Sequence, residues 1–234
     1  MNITPLISIT NEDCMDLMAR TPDKYYDLAI VDPPYFNGPN KLGYFGEGYS
    51  SIGVTRDKYE KTDDWDIPRK EYFDELFRVS KEQIIWGCNY FPDLNAGPGR
   101  IIWDKVNDKS TFSDAEIAYC SLHDSVRLFR FMWNGMNQGI DFTGKMQGNK
   151  KMNEKRIHPT QKPVAIYKWQ LQKYVKDGFK ILDTHSGSGS LAIACFDYGM
   201  ELDACEKNSM HWKNSIIRVK QHVKNSMKSP KLLF

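Results

Sequence analysis

The stretch at residues 180–192 constrains the fold more than any other part of the chain. Its sequence is KILDTHSGSGSLA. A short apolar run ends in Asp183, a turn containing Gly187 and Gly189 follows, and small residues then begin a helical pattern. A strand that leads through a glycine turn directly into a helix is typical of α/β proteins built on a parallel sheet. We therefore expect an α/β chain with a ligand at the carboxyl end of this strand.

The acidic residues around the glycine turn indicate the class of that ligand. Gly187-x-Gly189-x-x-Ala192 matches a nucleotide-binding fingerprint, and Glu206 follows nineteen residues after Gly187, at the end of the next predicted strand. A carboxylate there can accept hydrogen bonds from both hydroxyls of a ribose. Dinucleotides and S-adenosylmethionine both fit this pattern. Asp183 favours S-adenosylmethionine, because a carboxylate beside the turn repels a pyrophosphate but attracts an ammonium and a sulfonium group.

A second constellation lies at residues 32–35, DPPY, which directly follow the apolar run LAIV at residues 28–31. The run predicts a buried strand, so Asp32 lies at a carboxyl end, where open α/β sheets bind ligands. The prolines remove two backbone donors and leave the carbonyl of Pro33 free as an acceptor, and Tyr35 adds a flat aromatic face. This set suits a nucleobase with an exocyclic amine. A strand end with a capping Asp and a proline turn is the simpler alternative.

The remaining pattern predicts one α/β domain over residues 1–234, with helices on both faces of a twisted, mostly parallel sheet. Residues 115–121 and 125–132 are predicted to be two strands of an antiparallel hairpin. Two long stretches without a regular period, residues 36–66 and 134–157, are expected to be substrate-recognition or target-recognition loops within the domain.

Composition and charge argue against several classes of protein. No apolar run approaches the length of a membrane span, and no basic region followed by an apolar one opens the chain, so we expect a cytoplasmic protein. The five cysteines and five histidines are scattered, which argues against disulfides and against a structural metal. Net charge is +2, but no acidic residue follows Glu206. The basic tail and the basic loop at 145–156 are either solvated surface or a phosphate-binding footprint.

These motifs together resemble those of the DNA amino-methyltransferases, which methylate an exocyclic nitrogen of a base. The DPPY form at residues 32–35 is most similar to the adenine-N6 members. It precedes the glycine motif at 183–189, and residues 156–163, RIHPTQKP, resemble the pre-cofactor helix motif of the β group. Residues 112–116, FSDAE, are also similar to members of that group. The resemblance extends over about residues 6–210 and implies a Rossmann-like methyltransferase fold.

The resemblance implies a catalytic role for Asp32, Pro33 and Tyr35. The carboxylate of Asp32 and the carbonyl of Pro33 would accept hydrogen bonds from the two N–H groups of the adenine N6 amine. These two bonds would concentrate the lone pair of the amine toward the methyl group. Tyr35 would stack on the base after it is flipped out of the duplex. Since a sulfonium is a good leaving group, positioning and electrostatics suffice, and no cysteine nucleophile is expected.

The implied methyl donor is S-adenosyl-L-methionine. The residues expected to bind it are Asp13, Cys14, Asp32, Lys162, Asp183, His185, Gly187, Gly189, Ser190 and Glu206. Within this set the resemblance implies the glycine turn and Asp183 at the methionine end, Glu206 at the ribose, and Asp13 with Cys14 beside the adenine. Lys162 and its neighbours would close the pocket, or that basic cluster is solvated surface. His185 stands where the family often has Phe, and it either lines the pocket or is a tolerated variant.

Double-stranded DNA is the implied partner. The resemblance also implies site-specific methylation as part of restriction–modification, and it leaves open whether a partner endonuclease exists. The segment between residues 121 and 158 is short for target recognition, which favours a homodimer. Three alternatives stay open: an RNA adenine methyltransferase, an NAD-dependent reductase, and a non-catalytic DNA-binding protein that keeps the fold.

Overall fold

The structure is a computed structural model that describes residues 1–35, 66–107, 113–133, 138–139, 153–158 and 160–228. The predicted recognition loops lie largely outside the described residues, apart from Asp66 and residues 138–139 and 153–157. The same holds for most of the basic loop at 145–156 and for the last six residues of the chain.

Eight strands form one sheet. In chain order they are β1 (Ile7–Thr10), β2 (Tyr26–Val31), β3 (Ser80–Trp86), β4 (Arg100–Asp104), β5 (Ala115–Cys120), β6 (Val126–Arg130), β7 (Lys180–Asp183) and β8 (Glu201–Cys205). The described helices are α1 (Cys14–Ala19), α2 (Lys70–Val79), α3 (Val164–Tyr174), α4 (Ser190–Tyr198) and α5 (Ser209–Lys228). In space the strands follow the order β1-β8-β7-β2-β3-β5-β4-β6.

Helices cover both faces of the sheet, as the sequence predicts. The side chains of β2 alternate between the two sides: Leu28 and Ile30 belong to the core formed with α3, α4 and α5, whereas Ala29 and Val31 belong to the core formed with α1 and α2. Because both faces are buried, the strand is a continuous apolar run rather than an alternating one.

A crevice at the centre of the sheet brings the two predicted acidic strand ends together. β2 and β7 are parallel neighbours, but β2 leads through α2 to β3 on one side and β7 leads through α4 to β8 on the other. Strands that diverge in this way open a crevice at their carboxyl ends, where open α/β sheets bind ligands. Asp32 follows β2 and Asp183 ends β7, so the two carboxylates lie on either side of this crevice.

The sheet contains an antiparallel pair of consecutive strands, but it is β4 with β5 rather than the pair expected from the sequence. The predicted pairing of residues 115–121 with 125–132 is wrong, because β4 lies between β5 and β6, antiparallel to the first and parallel to the second. The short connection after β5 crosses the start of β4 at Gly99. A Cβ atom there would lie 1.9 Å from the carbonyl oxygen of His123, so only glycine allows the crossing.

All five cysteines lie within the described residues and are free thiols. In the described part of the chain, no group of three or more His, Cys, Asp or Glu side chains is arranged to hold a metal ion. No helix among the same residues combines the length and apolar character needed to cross a bilayer.

Candidate active site

A cavity of about 770 Å³ lies at the carboxyl ends of the central strands. Its lining includes every predicted site residue except Asp183 and Gly189. Segments that are far apart in sequence meet there: the ends of β1, β2, β7 and β8 and the segment before α3. Its size is within the range of pockets that bind nucleotide-sized molecules.

The glycine turn uses its two glycines in different ways. Both adopt left-handed backbone conformations, with φ of 47° at Gly187 and 74° at Gly189. Gly187 lines the cavity, and its N–H donates to Oε2 of Glu206 at 2.9 Å. At Gly189 a Cβ atom would lie only 2.8 Å from Cγ2 of Val219 in α5. Gly189 therefore allows α5 to pack closely against the turn, and it does not face the cavity.

Glu206 is held in a fixed orientation by backbone donors. Besides the bond from Gly187, its Oε1 accepts from the N–H of Asn208 at 2.9 Å. Burial raises the pKa of Glu206, and the two N–H donors oppose that rise. Each carboxylate oxygen has a further lone pair, so the fixed side chain can still accept hydrogen bonds from a diol in the cavity.

Asp183 lies just behind the cavity lining, as the last residue of β7. It is 5% exposed, and its Oδ1 accepts from the N–H of His185 at 3.1 Å. Burial raises the pKa of Asp183 to about 8; the bond from His185 opposes this, while Asp32 and Glu206 add to it by repulsion. Burial lowers the pKa of His185 to about 4, so its imidazole is neutral at physiological pH.

Asp13 and Cys14 lie in the cavity wall at the end of β1. Asp13 is the N-cap of α1, because it accepts from the N–H of Met15 at 2.9 Å, and it also pairs with Lys207 at 3.0 Å. Burial raises the pKa of the Cys14 thiol to about 12, so this thiol stays protonated and is not a nucleophile. Lys207 lies 3.2 Å from Asp66, which links the end of the first predicted loop to the cavity.

Lys162 lines the cavity, as predicted, but its ammonium group is engaged with carboxylates. It lies 2.5 Å from Oδ1 of Asp32 and 3.0 Å from Oε2 of Glu116, and its side chain is only 4% exposed. Oε1 of Glu116 in turn lies 2.5 Å from the ammonium of Lys105. Four charges of alternating sign therefore lead from Asp32 into the protein, whereas the sequence prediction placed Lys162 either at the cofactor or in solvent.

The pKa values of this group follow from burial and from the neighbouring charges. Burial raises the pKa of Asp32; Lys162 opposes the rise and Glu116 adds to it. Burial would lower the pKa of Lys162, but the two carboxylates outweigh burial and raise it. Burial would likewise raise the pKa of Glu116, but Lys162 and Lys105 lower it to about 2. Lys162 and Glu116 are thus both charged across the physiological range.

Tyr35, which the sequence predicts to stack on a base, is itself part of an aromatic pair. Its ring is stacked on that of Tyr90, with centroids 4.6 Å apart and planes within 6°. Gly87 makes this arrangement fit, since a Cβ atom there would lie 2.5 Å from Cδ1 of Tyr35. Tyr90 is 52% exposed, so the pair extends from the cavity to the surface. The aromatic pair was missed from the sequence, where Tyr90 is only a residue after a strand.

Two histidines of the cavity wall were also missed. His158 and His211 are in edge-to-face contact at 4.3 Å, and both line the cavity. Burial, with a smaller effect of His211, lowers the pKa of His158 to about 3, so it is neutral. His158 lies inside the RIHPTQKP motif, which was a usable signal. His211 lies on α5, and nothing in the helical pattern distinguishes it.

A second ionic group ties the walls of the cavity together. Arg218 of α5 pairs with Glu154 and donates to the carbonyl of Ser188 at 2.7 Å and to Oγ of Ser190 at 3.0 Å. Glu154 also accepts from the N–H of Val164 at 3.0 Å, at the start of α3. The glycine turn, α5 and the segment before α3 are therefore held in one arrangement. Ser190, predicted to contact the cofactor, lines the cavity within this group.

Comparisons with known proteins found relatives that are named as methylases or methyltransferases. The YubD protein of Escherichia coli (strain K12), which bears the name of a methylase, is 27% identical over 202 residues, covering 80% of this chain and 78% of that protein. The type II methyltransferase M2.MboI of Moraxella bovis is 23% identical over 228 residues, again covering 80% of this chain and 78% of that protein.

Solved structures share the fold. The M1.HpyAVI–SAM complex has a TM-score of 0.54 at 15% identity and covers 90% of this chain and 98% of its own. The cytosine-N4-specific PvuII DNA methyltransferase has a TM-score of 0.53 at 10% identity and covers 93% and 92%. The predicted Rossmann-like methyltransferase fold is therefore confirmed. The model of the N6/N4 DNA methylase family matches residues 102–218, which is half of the chain, and the chain accordingly belongs to the DNA methylase family.

Proposed function

We propose that this chain transfers a methyl group from S-adenosyl-L-methionine to the N6 amine of an adenine flipped out of double-stranded DNA. The observation that carries the proposal is the single cavity that contains both predicted constellations, Asp32 to Tyr35 on one side of the crevice and Gly187 with Glu206 on the other. M1.HpyAVI, which has the same fold, was solved with SAM, and M2.MboI is a type II methyltransferase, which supports this choice of chemistry.

The residues of the cavity wall, together with Asp183 just behind it, suit S-adenosylmethionine. The buried carboxyl of Asp183, with its raised pKa, suits an ammonium partner, and the fixed carboxylate of Glu206 suits the two hydroxyls of a ribose. Asp13 and Cys14 would contact the adenine of the cofactor, while neutral His185 and Ser190 would contact its remainder. When bound, the cofactor supplies a methyl group on a sulfonium, which is already a good leaving group.

Asp32 and Pro33 would activate the target amine. The lone pair of an adenine N6 amine is delocalised into the ring, so the amine is a weak nucleophile until it becomes pyramidal. A carboxylate and a carbonyl that accept hydrogen bonds from its two N–H groups favour the pyramidal form and direct the lone pair toward the methyl group. Once methylated, the nitrogen would give up one N–H proton to the carboxylate of Asp32 or to solvent. The stacked pair of Tyr35 and Tyr90 would hold the base, since base–aromatic stacking contributes about 1–3 kcal/mol.

Adenine is favoured over cytosine by Asp32, because cytosine-N4 members with this motif order usually have Ser at that place. The test is incubation of the protein with genomic DNA and methyl-labelled cofactor, followed by digestion to nucleosides and mass spectrometry. N6-methyladenine is expected. N4-methylcytosine would overturn the choice of base, and label found only in structured RNA would overturn the choice of DNA. An Asp32→Ala variant is the control for contaminating activity.

The DNA backbone would contact the basic loop at 145–156 and α5, where Lys213, Lys220, Lys224 and Lys228 are exposed. Neutralising several phosphates makes affinity fall steeply with salt, so Kd measured between about 50 and 200 mM salt checks this contact. In this proposal residues 1–234 form one domain that acts as a homodimer, the second copy adding recognition surface to the short 121–158 segment. Sedimentation in solution tests the dimer.

A further inference from the structure

We propose that Glu116 and Lys162 are positioning residues that together set how strongly Asp32 accepts a hydrogen bond from the target amine, with Lys105 as the outer counter-charge. This inference rests on the proposed function, because it concerns the same carboxylate. It goes beyond that function by assigning a role in the methyl transfer to residues that need not touch either the base or the cofactor.

The geometry is a row of alternating charges. The ammonium of Lys162 lies between two carboxylates, 2.5 Å from Oδ1 of Asp32 and 3.0 Å from Oε2 of Glu116. The ammonium of Lys105 lies 2.5 Å from the other oxygen of Glu116. The Asp32, Glu116 and Lys105 side chains are each 19% exposed, and Lys162 is 4% exposed. Pairs this deeply placed are screened much less than surface ion pairs, and removal of one member leaves an unpaired charge.

The fold explains why these residues meet. β5 runs antiparallel to β3, so its first residues lie at the edge of the sheet where β2 and β3 end. Glu116 is the second residue of β5 and thus reaches the Asp32 side of the cavity. Its partner in register on the neighbouring strand is Trp103, one residue before the end of β4. The ammonium of Lys162 also lies 5.3 Å from the ring centroid of Trp86, the last residue of β3, a distance that suits a cation–π contact.

The chemistry follows from the sharing of one ammonium by two carboxylates. An ammonium paired with Asp32 alone would neutralise that carboxylate and make it a weak acceptor for the amine. Glu116 pairs with the same ammonium, which weakens the neutralisation of Asp32 by Lys162 and leaves the Asp32 carboxylate more basic. Without Lys162, two carboxylates would face each other in a buried place, and Asp32 would take up a proton and lose its acceptor function. Glu116 and Lys162 therefore act on Asp32 in opposite directions.

Other titratable groups also face Asp32. Tyr35 on the same segment, Tyr167 on α3 and Asp183 on β7 each interact electrostatically with it. Burial raises the pKa of all three, so in the cofactor-free protein both phenols and most of the Asp183 carboxyl are neutral near pH 7; an Asp183 carboxylate formed on cofactor binding would be paired with the cofactor's ammonium. The charged groups that act most strongly on Asp32 are consequently Lys162 and Glu116, with a smaller effect of the more distant Lys105.

The test compares Glu116→Gln and Lys162→Met, two nearly isosteric changes that remove opposite charges. Single-turnover methyl transfer to duplex DNA is measured from pH 5 to pH 9, and the Kd of S-adenosylmethionine is measured by calorimetry. Glu116→Gln should move the acid limb of the rate profile to lower pH by about one unit, because the anion that disfavours ionised Asp32 is gone. Its rate on the plateau should fall about tenfold, because the full ammonium now neutralises Asp32.

Lys162→Met should move the acid limb to higher pH by at least about one unit, with part of the lost activity recovered at alkaline pH. Lys162→Arg, which keeps the charge, should leave the limb near its wild-type position. Lys105→Met, at the outer end of the row, should give a smaller shift in the same direction as Lys162→Met. Glu201→Gln, whose carboxylate pairs with Lys180 on the far part of the sheet, is the matched control and should change nothing.

Opposite shifts with a cofactor Kd within about twofold of wild type support the proposal. Shifts in the same direction, no shift in either variant, or a loss of cofactor affinity in proportion to the loss of rate would each overturn it in favour of a purely structural role.

If Lys162→Met does not fold, the sign of the shifts in Glu116→Gln and Lys105→Met decides alone. If the wild type transfers no methyl group to DNA, the proposed function fails and this inference falls with it, whereas an active wild type with unshifted variants refutes this inference only.

Discussion

Replacing Asp183 with Asn should change both the affinity for S-adenosylmethionine and the number of protons released when it binds. Asp183 is 5% exposed, and burial raises its pKa to about 8. A carboxyl group with that pKa is about 90% protonated at pH 7, so the free protein holds it mostly neutral. A bound ammonium group favours the carboxylate, and the proton must then leave.

The size of the effect follows from the same pKa. An opposite charge within hydrogen-bond reach lowers the pKa of a carboxyl by about 1–3 units, so the wild type should release about 0.4 to 0.9 proton per cofactor bound at pH 7. Because the free-state pKa lies above the bound-state pKa, affinity should rise with pH and level off above about pH 8. Asn keeps the shape but cannot ionise. Loss of a charge-assisted hydrogen bond costs about 1.5–3 kcal/mol, or about a 10- to 150-fold weaker Kd.

The assay is calorimetry at pH 7 in two buffers with different ionisation enthalpies, from which the proton count is obtained directly. The ligand's own amine contributes equally to both proteins, so the difference between wild type and Asp183→Asn isolates the carboxyl. Asp177→Asn, at an exposed position before β7, is the matched control and should behave as the wild type. Equal proton release by wild type and Asp183→Asn, or an affinity that does not change with pH between 6 and 9, would refute the reasoning.

Three further substitutions test the site. Asp32→Ala should reduce methyl transfer by at least about a thousandfold while the cofactor Kd changes less than threefold, as measured by single-turnover rates and calorimetry. Tyr90→Ala should weaken DNA binding by about 1 kcal/mol or more, as measured by fluorescence anisotropy with a duplex in which the target adenine lies opposite an abasic site, and it should leave the cofactor Kd unchanged. Gly189→Ala, at φ of 74° and 2.8 Å from Val219, should lower the free energy of unfolding by about 1–3 kcal/mol in denaturant titrations, whereas Gly178→Ala, at φ of 81° with open space around it, should cost less.

Sequence reasoning succeeded where the chemistry of the site is carried by short local patterns. The strand, glycine turn and helix at 180–192 and the DPPY segment each follow from a few adjacent residues. Their meeting across the crevice follows from a general rule, since parallel strands present their carboxyl ends at one edge of the sheet. Asp32 and Glu206 are accordingly found in one cavity, as predicted.

The charge row behind Asp32 could not be predicted in the same way. It depends on β5 entering between β3 and β4, and that order depends on a chain crossing that only Gly99 permits. No periodicity within residues 115–132 distinguishes this arrangement from a simple hairpin. The FSDAE stretch resembles members of the family, but the sequence does not show that Glu116 lies 3.0 Å from Lys162, and its role depends on that contact. Tyr90 was missed for the same reason, because its stacking on Tyr35 is a tertiary contact.

Asp32, Asp183 and Glu206, three acidic residues at or just behind the cavity wall, differ in where their positive partners come from. Asp32 has the ammonium of Lys162 at 2.5 Å within the protein itself. Among the described residues, Asp183 and Glu206 have backbone N–H donors but no cation that lowers their pKa, and burial raises the pKa of both. A cationic cofactor would therefore supply the positive partner that Asp183 lacks, whereas at Asp32 the ammonium of Lys162 already opposes the rise in pKa that burial causes. It follows that the amine-binding carboxylate has its positive partner before any ligand binds, and that the carboxyl of Asp183 would gain one only from the cofactor's own charge.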